Sequence, residues 1–143
     1  MRPPSIIMFE RLFLLSIAVS AVLTVISYDE VLRALTSDPA MQPLGLGSGF
    51  LIGVLAASFA IYLLLWYLIA HKAANPAKWI LAVLVFLGAV TSLPGLLRPP
   101  TDLTTVLSIV GYVLEITAVV FLFRADAASW LKGKSEADPA TFD

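Results

Sequence analysis

Four apolar runs dominate this chain, and each is close to the length that crosses a lipid bilayer. They are Leu12–Tyr28, Phe50–Ala70, Trp79–Leu93 and Leu103–Phe123. A helix needs roughly 20 predominantly apolar residues to traverse the hydrocarbon core. The third run reaches that length once Pro76–Lys78 supply its first turn. Strands of a membrane barrel alternate apolar and polar residues, whereas these runs are apolar all round, so helix is the expected state. Composition agrees: 59% of residues are hydrophobic and 13% charged, with mean hydropathy +0.93. A water-soluble domain carries about 25% charged residues, so this chain has too few polar groups to cover a wet surface. The expected solvent is lipid. The expected fold is all-α, a membrane-embedded antiparallel four-helix bundle running up-down-up-down. Residues 1–131 form one transmembrane domain with spans at about 12–28, 50–70, 77–93 and 103–123. Residues 132–143 form a polar cytoplasmic tail.

Helix punctuation supports those boundaries. Pro3-Pro4-Ser5 opens the first helix, with Ser5 as the expected N-cap. Asn75-Pro76 pairs an N-cap with proline at the first helical position, and Pro99-Pro100-Thr101-Asp102 serves the fourth span in the same way. Pro43–Gly49 (PLGLGSG) breaks any helix before the second span, and Pro94-Gly95 closes the third. The first connection is the longest. In Asp29–Ala40, Val31, Leu32 and Leu35 share one helical face, and Ser27 and Glu30 have capping-box spacing. Two readings stand side by side: a separate amphipathic helix on the membrane surface, or an overhang of the first helix. The second and third connections are tight, which makes successive helices antiparallel. Ala18-Val19-Ser20 resembles a signal-peptide cleavage site but lies inside an apolar run that continues to Ile26, so the run reads as a span.

Lys and Arg beside the spans set orientation. Arg2, Arg11, Lys72, Lys78, Arg124, Lys132 and Lys134 fall on one side and Arg33 and Arg98 on the other, seven against two. Both termini are therefore expected in the cytoplasm of a bacterial inner-membrane protein. Trp66, Tyr67, Trp79 and Trp130 fall near the same interface, where an amphipathic ring sits best. Trp130 and Leu131 are expected to hold a short segment after the last span against the headgroups. Glu10, Arg11, Trp66, Trp79, Arg124 and Trp130 read as interface anchors. Arg11 snorkels, Glu10 takes Lys72, Lys78 or Arg124 as partner, and Arg124 goes with Asp126.

The residue inventory excludes much chemistry. With no cysteine there is no disulfide, thiolate metal site or Cys nucleophile. His71 alone cannot build a multi-His metal site, and no cofactor is expected. A net charge of −1 gives no basic field for nucleic acid. Gly45–Gly49 lacks the strand and the following Lys-Ser/Thr of a phosphate loop. No hydrolytic constellation stands out, so the chain reads as no enzyme.

One acid lies deep in a span. Glu115 is 12 residues into the fourth run, roughly 18 Å along a helix and near the midplane. An ionised carboxylate there is costly, so it must be neutral, paired or facing water. Ser108, Tyr112 and Glu115, at i, i+4 and i+7, form one polar stripe, and Gly111 permits close helix approach. Ser16, Ser20 and Thr24 line one face of the first helix at four-residue spacing. They are the expected hydrogen-bond partners of Glu115 across the bundle, each such contact contributing about 0.6 kcal/mol. Gly49, Gly53 and Ala57 repeat at the same spacing on the second helix. Packing inside the bundle is the plain reading of that seam, contact with another subunit the alternative.

Pro3-Pro4-Ser5 leading into Phe9-Glu10-Arg11-Leu12, Ala77-Lys78-Trp79-Ile80 opening the third span and Leu122-Phe123-Arg124 closing the fourth resemble a group of small four-span bacterial inner-membrane proteins. That resemblance covers most of the chain and implies no activity. In size the chain also resembles small multidrug resistance transporters. Those carry an essential acid in the first span, where this chain has none in the core, and Glu10 is too shallow to replace it. Three functions follow as expectations. The first is a structural or accessory subunit that packs through helix contacts with a membrane-protein partner or a second copy. The second is a small proton- or cation-coupled transporter using Glu115. The third is a lipid- or quinone-binding membrane enzyme.

Overall fold

The computed structural model describes residues 2–96 and 102–133. They form α1 (Pro4–Ser37), α2 (Ser48–Ala70), α3 (Asn75–Leu96), α4 (Leu103–Leu122) and α5 (Ala125–Gly133), with a 3-10 turn at Gln42–Leu44. Among the described residues there is no strand. The first four helices are each long and apolar enough to cross a membrane. The tail from Lys134, and Arg98 with Pro99-Pro100-Thr101 of the third connection, lie outside the described residues.

The helices form a ring. α1 lies against α2 and α4, α3 lies against α2 and α4, and the α1–α4 interface is the most extensive. Small residues explain that closeness. Gly111 is buried on α4 with Val19 Cγ1 opposite it, and Ala118, two turns further along the same face, is fully enclosed. The hydrophobic core gathers Ile6, Phe9 and Phe13 from the start of α1 with Leu65 and Ile69 from the end of α2. Ala77, Leu81 and Val85 from the first half of α3, Ala118 and Leu122 from the end of α4 and Ala127 of α5 complete it. The core therefore fills one end of the bundle. Phe9 and Phe13 stack at 5.3 Å, and Tyr62 stacks on Phe13 at 6.0 Å. Outward faces are apolar, with Ile52, Ile61, Leu64, Val83, Phe86 and Val90 all exposed.

Local chemistry shifts several boundaries. The overhang reading of the first connection holds: α1 runs unbroken for 34 residues, about 51 Å. No residue between Ser5 and Ser37 is Gly or Pro, so nothing in the backbone stops it at Tyr28. Ser5 is not the N-cap. Pro3 holds that position without a side-chain bond, and Ser5 instead donates its Oγ–H to Asp126 Oδ1 at 2.8 Å and its N–H to Asp126 Oδ2 at 3.2 Å. That pair fastens α5 to α1. The 71–74 turn closes through Ala74 N–H donating to the Leu68 carbonyl, with Ala73 in the left-handed region at φ +52°. α3 continues past Pro94 and Gly95 to Leu96, beyond the point where the sequence suggests that this pair closes it. Asp102 is the N-cap of α4, accepting from Thr105 N–H at 3.2 Å.

The Gly49–Gly53–Ala57 seam does not pack inside the bundle. All three residues are exposed, and a Cβ built on Gly49 or Gly53 meets nothing within 4 Å. The inner face of α2 carries Leu51, Leu55, Tyr62, Leu65 and Ile69 instead.

Candidate functional site

Beyond the packed end, the bundle is hollow. A cavity of about 320 Å³ lies between the four long helices. α1 contributes Ser16, Ile17, Ser20, Leu23 and Thr24, and α2 contributes Leu55, Ser58, Phe59 and Tyr62. Val85 and Gly88 come from α3, and Ser108, Gly111, Tyr112 and Glu115 from α4. Glu115, Tyr112, Ser108, Ser16, Ser20 and Thr24, distributed over two helices that are distant in sequence, thus face one space. A second cavity of about 230 Å³ shares Leu23, Thr24, Leu55 and Ser108 with it. This second space adds Ser27, Tyr28, Val31 and Leu51, so the hollow region extends toward the first connection. In the other direction it meets the Phe13–Tyr62 stack and the core behind it.

Four of the cavity hydroxyls are fixed within their own helices, and those of Ser20 and Tyr62 make no hydrogen bond among the described residues. Ser16 donates to the Phe13 carbonyl, Thr24 to Ser20, Ser58 to Val54 and Ser108 to Thr104, each at 2.8 Å. A serine or threonine whose proton is spent on its own helix has only oxygen lone pairs left to offer. The Ser92 and Tyr112 hydroxyls hydrogen-bond to each other and tie α3 to α4. Glu115 stands apart. Among the described residues, no hydrogen bond or ion pair reaches its carboxyl. The cross-bundle bond from Ser16, Ser20 or Thr24 that the sequence suggests is not formed: the Ser16 and Thr24 hydroxyls bond within α1, and none joins Ser20 to Glu115. Tyr62 faces the same cavity as Glu115 and Tyr112. The site is therefore a polar hollow, rich in acceptors, with one carboxyl and aromatic faces from Phe59 and Tyr62.

Sequence reasoning missed Ser58 and Tyr62. They sit at i and i+4 on the most apolar of the helices, and that pairing is the signal that points to them.

The anchor residues gather at the packed end, in arrangements that differ in part from expectation. Glu10 pairs with Arg2 at 2.8 Å rather than with Lys72, Lys78 or Arg124. Asp126 binds Ser5 rather than Arg124, and those hydrogen bonds hold its carboxyl below the usual carboxylate range. Arg124 lies over the Phe121 ring at 5.4 Å and is exposed, as is Arg11. Trp79 is exposed, with its edge on Phe123 at 5.3 Å, and Lys78 sits over the Phe123 ring at 4.7 Å. Trp66 meets His71 edge-on, and its Nε1–H is enclosed without a hydrogen-bond partner among the described residues. Trp130 is half-buried against the core, so α5 packs onto the bundle through Ala127 and Leu131.

No known protein family, curated protein or solved structure matches the chain.

Proposed function

We propose that this chain is a multi-pass protein of a bacterial inner membrane, non-enzymatic, whose bundle works as a small proton- or cation-coupled carrier centred on Glu115. The observation that carries this reading is the unpartnered carboxyl in a cavity lined from all four long helices. A carboxyl without an internal partner at this depth is stable as the neutral acid, beside a bound cation or facing water. One site that holds a proton or a cation, but not both, is the minimum machinery for exchanging them. The continuity of the hollow toward the first connection supports access from that end, and the aromatic seal at the other end supports closure there. Apolar outward faces support lipid as the solvent. The seven-to-two distribution of Lys and Arg supports cytoplasmic termini, so the open end faces outward. Contacts between the start of α1 and the end of α2, and between the start of α3 and the end of α4, support the antiparallel arrangement.

The test is pH-gradient-driven cation flux in proteoliposomes with the wild-type chain and Glu115→Gln. The variant should fold as wild type by circular dichroism yet carry no flux above empty liposomes. Equal flux in the two proteins would remove Glu115 from the mechanism.

A second reading has its own observation. The small-residue stripe Gly49–Gly53–Ala57 faces away from the bundle, which favours a structural role in which α2 packs on another membrane helix, from a partner or a second copy. Disulfide formation by Gly53→Cys in membranes tests self-contact; monomers only would exclude the second copy.

A further inference from the structure

The donor count of the cavity defines its ligand more narrowly than its charge does. Resting on the reading that the Glu115 cavity is a binding site, we infer that it selects small cations bearing N–H groups, primary ammonium ions, over quaternary ammonium ions of the same size. Ser20 and Tyr62 keep their hydroxyl protons, while Thr24, Ser58 and Ser108 each spend theirs on a carbonyl of their own helix, so acceptors outnumber donors around Glu115. Toward the cavity they present lone pairs, and Glu115 adds carboxyl oxygens. A ligand that satisfies these groups must bring donors as well as positive charge. A primary ammonium brings three N–H donors; a quaternary ammonium brings none and leaves the acceptors desolvated and unpaired, which is where a hydrogen-bonding site discriminates most strongly.

Size and lining fix the rest of the ligand. At about 30 Å³ for each water-sized group, the cavity holds roughly ten heavy atoms. Phe59 and Tyr62 offer an apolar, aromatic wall for the body of the ligand. A protonated arylalkylamine of nine or ten heavy atoms suits this space.

The test uses the full chain in nanodiscs of zwitterionic lipid, with empty nanodiscs to subtract partitioning. Calorimetric titration compares phenethylammonium, phenyltrimethylammonium and neutral 2-phenylethanol, which are closely matched in size. Phenethylammonium should bind at least tenfold more tightly than either of the others. Glu115→Gln should bring it to the level of 2-phenylethanol. If that variant does not fold, the double variant Ser58→Ala with Ser108→Ala should shrink the preference for primary over quaternary ammonium at least threefold. Equal binding of all three, or tighter binding of the quaternary ion, overturns the assigned class while leaving a binding cavity in place. No binding of any of them to folded protein overturns both the class and the cavity reading beneath it.

Discussion

Phe13 is the keystone of the sealed end, and its truncation has a cost that follows from the structure. The ring is fully buried, stacked on Phe9 at 5.3 Å and on Tyr62 at 6.0 Å. In a bilayer the unfolded side chain sits in hydrocarbon, so the water-to-oil transfer gain is absent and packing alone remains. Phe13→Ala removes about 100 Å³ of side chain, and at about 24 cal/mol per Å³ the void costs about 2.4 kcal/mol. Losing two ring pairs adds about 0.5–1.5 kcal/mol each. The expected total is about 3–5 kcal/mol, the lower figure applying where the void partly collapses. Phe86 is the control. Its ring is 67% exposed on the outer face of α3, and Phe86→Ala should cost less than about 0.5 kcal/mol. Reversible unfolding in bicelles, for example by steric trapping, measures both. A Phe13→Ala cost below about 1 kcal/mol, or one equal to that of Phe86→Ala, would refute the placement of the core at this end.

Two further predictions concern how the helices are fastened. The Asp126 carboxyl is held below its ordinary range first by the Ser5 hydroxyl and then by the Ser5 N–H. Its contribution to docking α5 is therefore complete above the ordinary carboxylate pKa and disappears as pH falls through the lowered value; Trp130 fluorescence should report the release in acid, and Asp126→Asn should abolish that pH dependence. At Gly111 an added methyl would meet Val19 Cγ1 at 3.6 Å, an ordinary contact. Gly111→Ala should be neutral or stabilising by up to about 1 kcal/mol, whereas Gly111→Leu should cost about 1–3 kcal/mol, both read from the same unfolding measurement.

The sequence makes the lengths of these helices far easier to read than their rotation. Apolar runs of membrane length mark α2, α3 and α4 to within a few residues, because Pro, Gly and Asp sit at their ends. α1 outruns its apolar stretch because Asp29, Glu30 and Arg33 do not break a helix; they only end its apolar stretch. The stripe Ser108–Tyr112–Glu115 and the face Ser16–Ser20–Thr24 are legible since polar residues in an apolar helix seek one another or water. The direction of α2 is not. A helix that is apolar on every side gives no contrast between lipid and protein, so Gly49, Gly53 and Ala57 suggest an inner seam while the structure turns them outward. Ser5 illustrates the same limit at short range: it reads as a cap from its neighbours, but its partner lies on α5, which its own neighbours in sequence do not reveal.

In the proposed carrier, the hollow around Glu115 is open to solvent toward the first connection and shut by the core at the other end. The chain contains no cysteine, so single-cysteine variants at Thr24, Ser108, Leu81 and Leu122 can be probed with a membrane-impermeant thiol reagent on intact cells. Thr24→Cys and Ser108→Cys should label from outside, and Leu81→Cys and Leu122→Cys should stay unlabelled. Protection of both cavity positions, or labelling of the two core positions, would contradict the account.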